Sequence, residues 1–166
     1  MDSKKLLTIV GILVVVLGVG WFTLSGTFNI PVPQTFDHIY KFTSDYEVVN
    51  LSREDSVINS ELLTRTNNYT LNNIDMNGNI VNFAAAQFNS GDGARDLFIE
   101  YKKLGRANVQ RYKASINIPW FGSYWTVTSN GKTYSLWRKN DWVVFMMGKN
   151  REAVKNFEKE FKNYLK

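Results

Sequence analysis

The chain has 166 residues, 44% of them apolar and 14% aromatic, and a net charge of +5; this is enough length and apolar mass for one folded core. It contains no Cys and a single His, His38, which excludes disulfide frameworks, zinc-thiolate sites, thiol nucleophiles, attached haem and any His-rich metal centre. The charge is divided: residues 27–94 carry three basic and eight acidic side chains, residues 95–166 fifteen and six, a dipolar layout that can orient a protein at an anionic surface over about 8 to 10 Å at physiological salt.

Residues 6–36 carry no charge, and the run Leu6 to Leu24 is almost wholly apolar. Nineteen helical residues reach about 28 Å, close to the hydrocarbon thickness of a bilayer. Lys4 and Lys5 precede the run, so the positive-inside rule holds the N-terminus in the cytoplasm and sends the rest of the chain across. Residues 1–25 are therefore expected to be a transmembrane anchor, with Trp21 and Phe22 at the far interface. The rival reading, a cleaved signal peptide followed by secretion, is opposed by the length of the run and the absence of an A-x-A site. Gly11 and Gly18 share a helix face but belong to no G-x-x-x-G pairing motif. Residues 26–36, with Pro31 and Pro33, read as an extended tether, and residues 37–166 as the exported domain.

In that domain, "YTLNNIDM" and "IVNFAAAQF" flank Asn77-Gly78-Asn79, and "YWTVTS" and "KTYSLWR" flank Asn130-Gly131, the commonest short-hairpin signal. Asn140-Asp141 makes the next turn, into "WVVFMMG". Two segments have helical periodicity. In the first, Ala94, Leu97, Phe98, Tyr101 and Leu104 form a stripe ended by Gly105; in the second, Ala153, Phe157, Phe161 and Tyr164 do so, with Asn150 as N-cap. Hairpin strands feed each helix at a spacing of about 60 residues, with Phe83 matching Phe145 and Ala94 matching Ala153, so either a duplicated strand-rich unit or two chance β-then-α units fits. The expected fold is α+β, an antiparallel sheet built from hairpins with two helices on one face. Residues 37–66 give no clear signal.

A two-residue turn at Asn130-Gly131 sets Val127 opposite Tyr134 and Trp125 opposite Leu136; one at Asn140-Asp141 adds Phe145 and Met147 to the same apolar face. That face is the expected seat of the helices. The opposite face carries hydroxyls with three large rings, Tyr124, Trp137 and Trp142, and flat rings on a polar sheet face suit a stacking or docking surface. The competing reading is cross-strand packing or cover by the tether or by residues 37–66. The corner Pro119, Trp120, Phe121 and Gly122 reads as a plug at the sheet edge, or as a contact with the membrane interface or a partner.

Lys102, Lys103, Arg106, Arg111 and Lys113 form a basic run suited to an anionic lipid, glycan or polymer; on an exported domain, nucleic acid is not expected. "DMNGN" starts like a calcium loop, but position twelve is Ala86 rather than Glu, so it reads as a hairpin turn. "NSGDGARD" lacks the Lys-Ser/Thr of a P-loop and reads as a helix-capping loop. Asn50 and Asn68 begin N-x-S/T sequons. Catalytic and cofactor signatures are absent from the sequence, so neither catalysis nor a cofactor or metal is expected. The sequence points to an anchored extracytoplasmic domain that serves as a partner-binding accessory subunit or scaffold at the cell envelope. The alternative is a small-ligand or glycan sensor using Tyr124, Trp137 and Trp142.

Overall fold

The computed structural model describes residues 30–49, 66, 68–104, 109–118 and 122–166, with only the backbone of 104 and 109–118. The anchor expected over 1–25, the first part of the tether, Arg106, Asn50 and the corner residues Pro119, Trp120 and Phe121 lie outside the described residues. Among the described residues no helix is long and apolar enough to cross a membrane.

The described chain begins with α1 (Phe36–Thr43), β1 (Asn68–Asp75), β2 (Ile80–Gln87) and α2 (Gly91–Leu104), and continues through β3 (Val109–Ile118), β4 (Gly122–Ser129), β5 (Lys132–Lys139), β6 (Trp142–Gly148) and α3 (Arg151–Tyr164). The strands form one six-stranded sheet in the order β1-β2-β6-β5-β4-β3, antiparallel at every pairing. The expected hairpins are present. Asn77, Gly78, Asn130 and Gly131 all have positive φ, the left-handed pair a two-residue hairpin turn demands. Asp75 caps the first turn by accepting a hydrogen bond from the Gly78 amide, which is the structural use of the "DMNGN" stretch. The register follows the sequence reading: Val127 faces Tyr134, Trp125 faces Leu136 and Tyr124 faces Trp137, while Phe145 faces Leu136 and Met147 faces Tyr134.

The helices do not share a face, contrary to the sequence expectation. α2 lays Ala94, Leu97, Phe98 and Tyr101 on Trp125, Val127, Leu136, Phe145 and Met147. α3 and α1 lay Phe157, Phe161, Ile39 and Phe42 on the other side, over Phe83, Trp137, Val144 and Met146. The physical reason lies in β2 and β6. Every residue of β6 is buried, as are the six central residues of β2's eight, and strands apolar on both faces require a layer on each. The result is an α+β domain of three layers, helix–sheet–helix. The matched residues Phe83 and Phe145 consequently fall on opposite faces: Phe83 meets Phe157 and Phe161, and Phe145 meets Tyr101.

Local chemistry explains the helix ends. Asn150 adopts extended backbone and its side chain accepts from the Glu152 and Ala153 amides, satisfying donors a helix N-terminus leaves free. Ser90 performs the same task for Gly93. Tyr164, expected on the buried stripe of α3, is partly exposed and touches Phe42 and His38 from the rim. α1 was not foreseen. Phe36, Ile39 and Phe42 recur at helical spacing and are buried, and Ile30 is buried in the same cluster. The segment read as tether and unassigned loop thus supplies part of the core.

Candidate functional site

The aromatic face expected to bind a ligand is an interior surface. Trp137 is fully buried and Trp142 nearly so. The Trp142 ring lies 4.9 Å from that of Phe36, and Trp137 Nε1 donates to the Pro31 carbonyl at 3.1 Å. Tyr124, half-buried, has the Lys162 ammonium 4.2 Å from its ring centroid, and the same ammonium lies 4.7 Å from Trp137. Lys162 also bonds Glu158, whose second oxygen accepts from the Ser135 hydroxyl at 2.7 Å. Burial, then the Glu158 carboxylate, pushes the Tyr124 phenol well above its usual range. The Tyr124 and Trp137 rings are therefore occupied by the chain's own cation, with a cation–π geometry that stabilises the docking of α3. Cover by α1, α3 and the entering chain is what turns this face from a docking surface into core.

The basic run fares differently. Arg111 and Lys113 lie on β3, whose side chains are outside the described residues. Lys102 and Lys103 are on the last turns of α2 and line a recess of about 140 Å³ together with Arg95, Phe98, Ile99, Ser123 and Arg138. Among the described residues, four cations and no carboxylate line it. Arg138, which the sequence reading did not single out, is its floor. It sits on β5 directly opposite Ser123, is only 9% exposed, and its Nε has no hydrogen-bond partner among the described residues. Burial, and then the neighbouring Arg95 charge, lower its proton affinity, with Asp92 opposing. Arg95 itself is held loosely, 3.7 Å from Asp92 and 3.9 Å from Asp96, both pairs exposed, so they screen it only in part.

A buried guanidinium with an unmade hydrogen bond is costly, and an anion seated in the recess would offset its buried charge. The volume limits any ligand. Pockets for drug-sized molecules run from about 300 to 1,000 Å³, so this recess has room for a group the size of phosphate, sulfate or carboxylate and not for a nucleotide. A larger cavity, about 320 Å³, lies at the other end of the sheet among Asn79, Asn82, Lys132, Lys149 and Asn150. Its amides are already engaged with the protein: Asn82 donates to Asn73, Asn150 donates to Asn79, and Asn150 Oδ1 caps α3. The smaller recess is therefore the better candidate. The only sequence signal for Arg138 was a charge at an inward position of an otherwise apolar face, between Leu136 and Val143 in register.

Fold and recess together define a class: a three-layer α+β domain with an antiparallel sheet and a basic recess under its first long helix. The fold is similar to that of a GTP binding regulator from Thermotoga maritima, with a TM-score of 0.57 and 21% identity over 83% of this chain and 92% of that one; at that identity the likeness shows the fold alone. The extracellular domain of PknH from Mycobacterium tuberculosis aligns over 69% of this chain and 71% of its own, with a TM-score of 0.36 and 14% identity, too slight a likeness to carry an argument. No protein-family model matches the chain, and no curated protein matches it.

Proposed function

We propose that this chain is a membrane-anchored, extracytoplasmic binding domain without catalytic activity, an accessory component of the cell envelope whose recognition element is the recess of Arg95, Lys102, Lys103 and Arg138. The observation that carries the reading is Arg138: a cationic residue more than nine-tenths buried, with Nε unpartnered among the described residues, beneath three further cations. A buried charge of that kind is retained against its desolvation cost when an anionic ligand pairs with it. The anchor rests on the uncharged run Leu6 to Leu24 behind Lys4 and Lys5. The ligand is an anionic group small enough for the recess. The glycan-sensor alternative loses its support, because Trp137 and Trp142 are core residues.

The test is calorimetric titration of the full chain, in discs of neutral phosphatidylcholine, with inorganic phosphate and with sulfate. Saturable binding, lost on Arg138→Gln and weakened as salt rises, is expected; an unchanged isotherm in the variant, or no binding, overturns the reading. Protease added outside intact cells should digest residues beyond 30, and protection until lysis would overturn the orientation.

A further inference from the structure

The entering chain and the recess lie at the same end of the sheet. Ile30 and Pro31 dock there: a Cβ on Gly122 would lie 3.4 Å from Ile30 Cδ1 and 2.4 Å from the carbonyl oxygen of Arg138. Pro31 accepts its hydrogen bond from Trp137, the residue next to Arg138. α2 starts at this end too, Gly91 lying against the Asn140 carbonyl and the Phe88 amide bonding Asp141. Only five residues, Ser25 to Asn29, separate the last apolar residue of the expected anchor from Ile30. Fully extended they let this pole stand no more than about 20 Å from the hydrocarbon edge, and headgroups fill roughly the first 5 to 8 Å of that gap. The tether is thus short and fixed at its far end, which keeps the recess beside the lipid surface it grew from.

The lining matches such a surface. Beside its cations it includes Phe98 and Ile99, and Ile99 is 44% exposed at the rim, an apolar step next to positive charge of the kind that interfacial elements present to headgroup and acyl boundary. A free phosphate has no use for that step. Building on the anion-binding reading, we infer that the recess takes the headgroup phosphate of an anionic phospholipid in the membrane that holds the chain, pinning the domain down on the bilayer with α2 facing it.

The test follows amide hydrogen exchange of the full chain in discs of phosphatidylcholine alone and in discs where part of the lipid is phosphatidylglycerol. Exchange over residues 95–103 and 136–140 should slow severalfold in the anionic discs, while the Asn130-Gly131 turn at the opposite pole stays unchanged. Arg138→Gln removes the slowing. Because that change touches a buried position, Lys102→Gln with Lys103→Gln provides a second variant at more accessible sites, expected to weaken the lipid response by roughly 30-fold at about 1 kcal/mol per removed cation. Phosphate added to neutral discs reproduces the slowing and, added to anionic discs, competes with it. If phosphate slows exchange but phosphatidylglycerol does not, the lipid assignment is overturned and the anion site stands. If neither acts, both readings fall. Slowing that appears only when an acidic protein co-purifies overturns the lipid assignment in favour of a protein partner.

Discussion

Arg138 offers a prediction in which stability and binding move in opposite directions. Replacing it with Met keeps an unbranched side chain of similar length while removing a charge that is 9% exposed and has an unmade hydrogen bond at Nε. In a well-paired site the loss of Arg would destabilise by several kcal/mol; here Nε has no partner among the described residues, so what disappears is mainly the desolvation cost. Arg138→Met is therefore expected to stabilise the folded domain by about 1 to 3 kcal/mol. For a chain of this size each kcal/mol raises the melting midpoint by roughly 2 to 4 °C, so a rise of about 2 to 12 °C is expected. The buried Trp125, Trp137 and Trp142 make intrinsic fluorescence a direct monitor of unfolding in neutral discs, and phosphate titration of the same sample measures binding. A variant that melts earlier yet still binds phosphate would refute the reasoning, because Arg138 would then be a structural residue with partners in the folded state. The trade of stability for a charged, unsatisfied group is the signature expected of a functional position.

Gly122→Ala should destabilise by about 1 to 3 kcal/mol, since φ is +104 and the new Cβ would fall 2.4 Å from the Arg138 carbonyl; because that clash displaces β5, phosphate affinity should fall with it, measured by the same titration. Glu158→Ala removes the partner of Lys162 and of the Ser135 hydroxyl at a buried position, and urea titration should show a loss of about 2 to 3 kcal/mol; no loss would mean that the cation–π contacts alone hold Lys162. Burial raises the Tyr101 and Tyr124 phenols well above their ordinary value of 10.0. The unfolded chain therefore releases these protons first, stability is full below pH 10 and declines as pH rises beyond it. Alkaline unfolding followed by fluorescence should begin near that point, and Tyr101→Phe should shift it upward. Phenolate absorbance from all eight Tyr appearing before any loss of structure would contradict the burial argument.

The parts of the fold legible in the sequence were those written in local chemistry. Asn-Gly pairs fixed two hairpins because only left-handed backbone closes them, and counting outward from the turns placed Trp125, Leu136 and Phe145 on one face as observed. What was not legible required knowing what covers what. "WVVFMM" and "VNFAAA" each present apolar residues to both sides of the sheet, a pattern that demands two helical layers, yet alternation was read from the flanking strand with its hydroxyls and carried over to the whole sheet. α1 escaped notice because its eight residues mix Phe36, Ile39 and Phe42 with charged neighbours behind a Pro-marked stretch, and so short a helix has little propensity signal of its own. Trp137 looked like a docking ring for the same reason: its partners, Pro31 and Phe161, are 106 residues before it and on a helix assigned to the other face.

The basic site shows the complementary limit. Lys102, Lys103, Arg106, Arg111 and Lys113 stand together along the chain; Arg106 and the side chains of Arg111 and Lys113 lie outside the described residues, while three-dimensional proximity joins Lys102 and Lys103 to charges far from that run. α2 brings one helical face, Arg95 and Lys102 among it, over the end of a hairpin, and the hairpin contributes Arg138 from 35 residues beyond Lys103. A helix that lies across strand ends collects charges from separate elements, and no linear window contains them together. The same geometry ties the site to the entering chain, because the strand that carries Arg138 also carries Trp137, and these two adjacent side chains point to opposite faces: Trp137 grips Pro31, and Arg138 floors the recess. A single strand end thus holds both the entering chain and the floor of the recess, so on the proposed reading a domain released from its tether should keep its recess but lose the register in which that recess would meet the membrane.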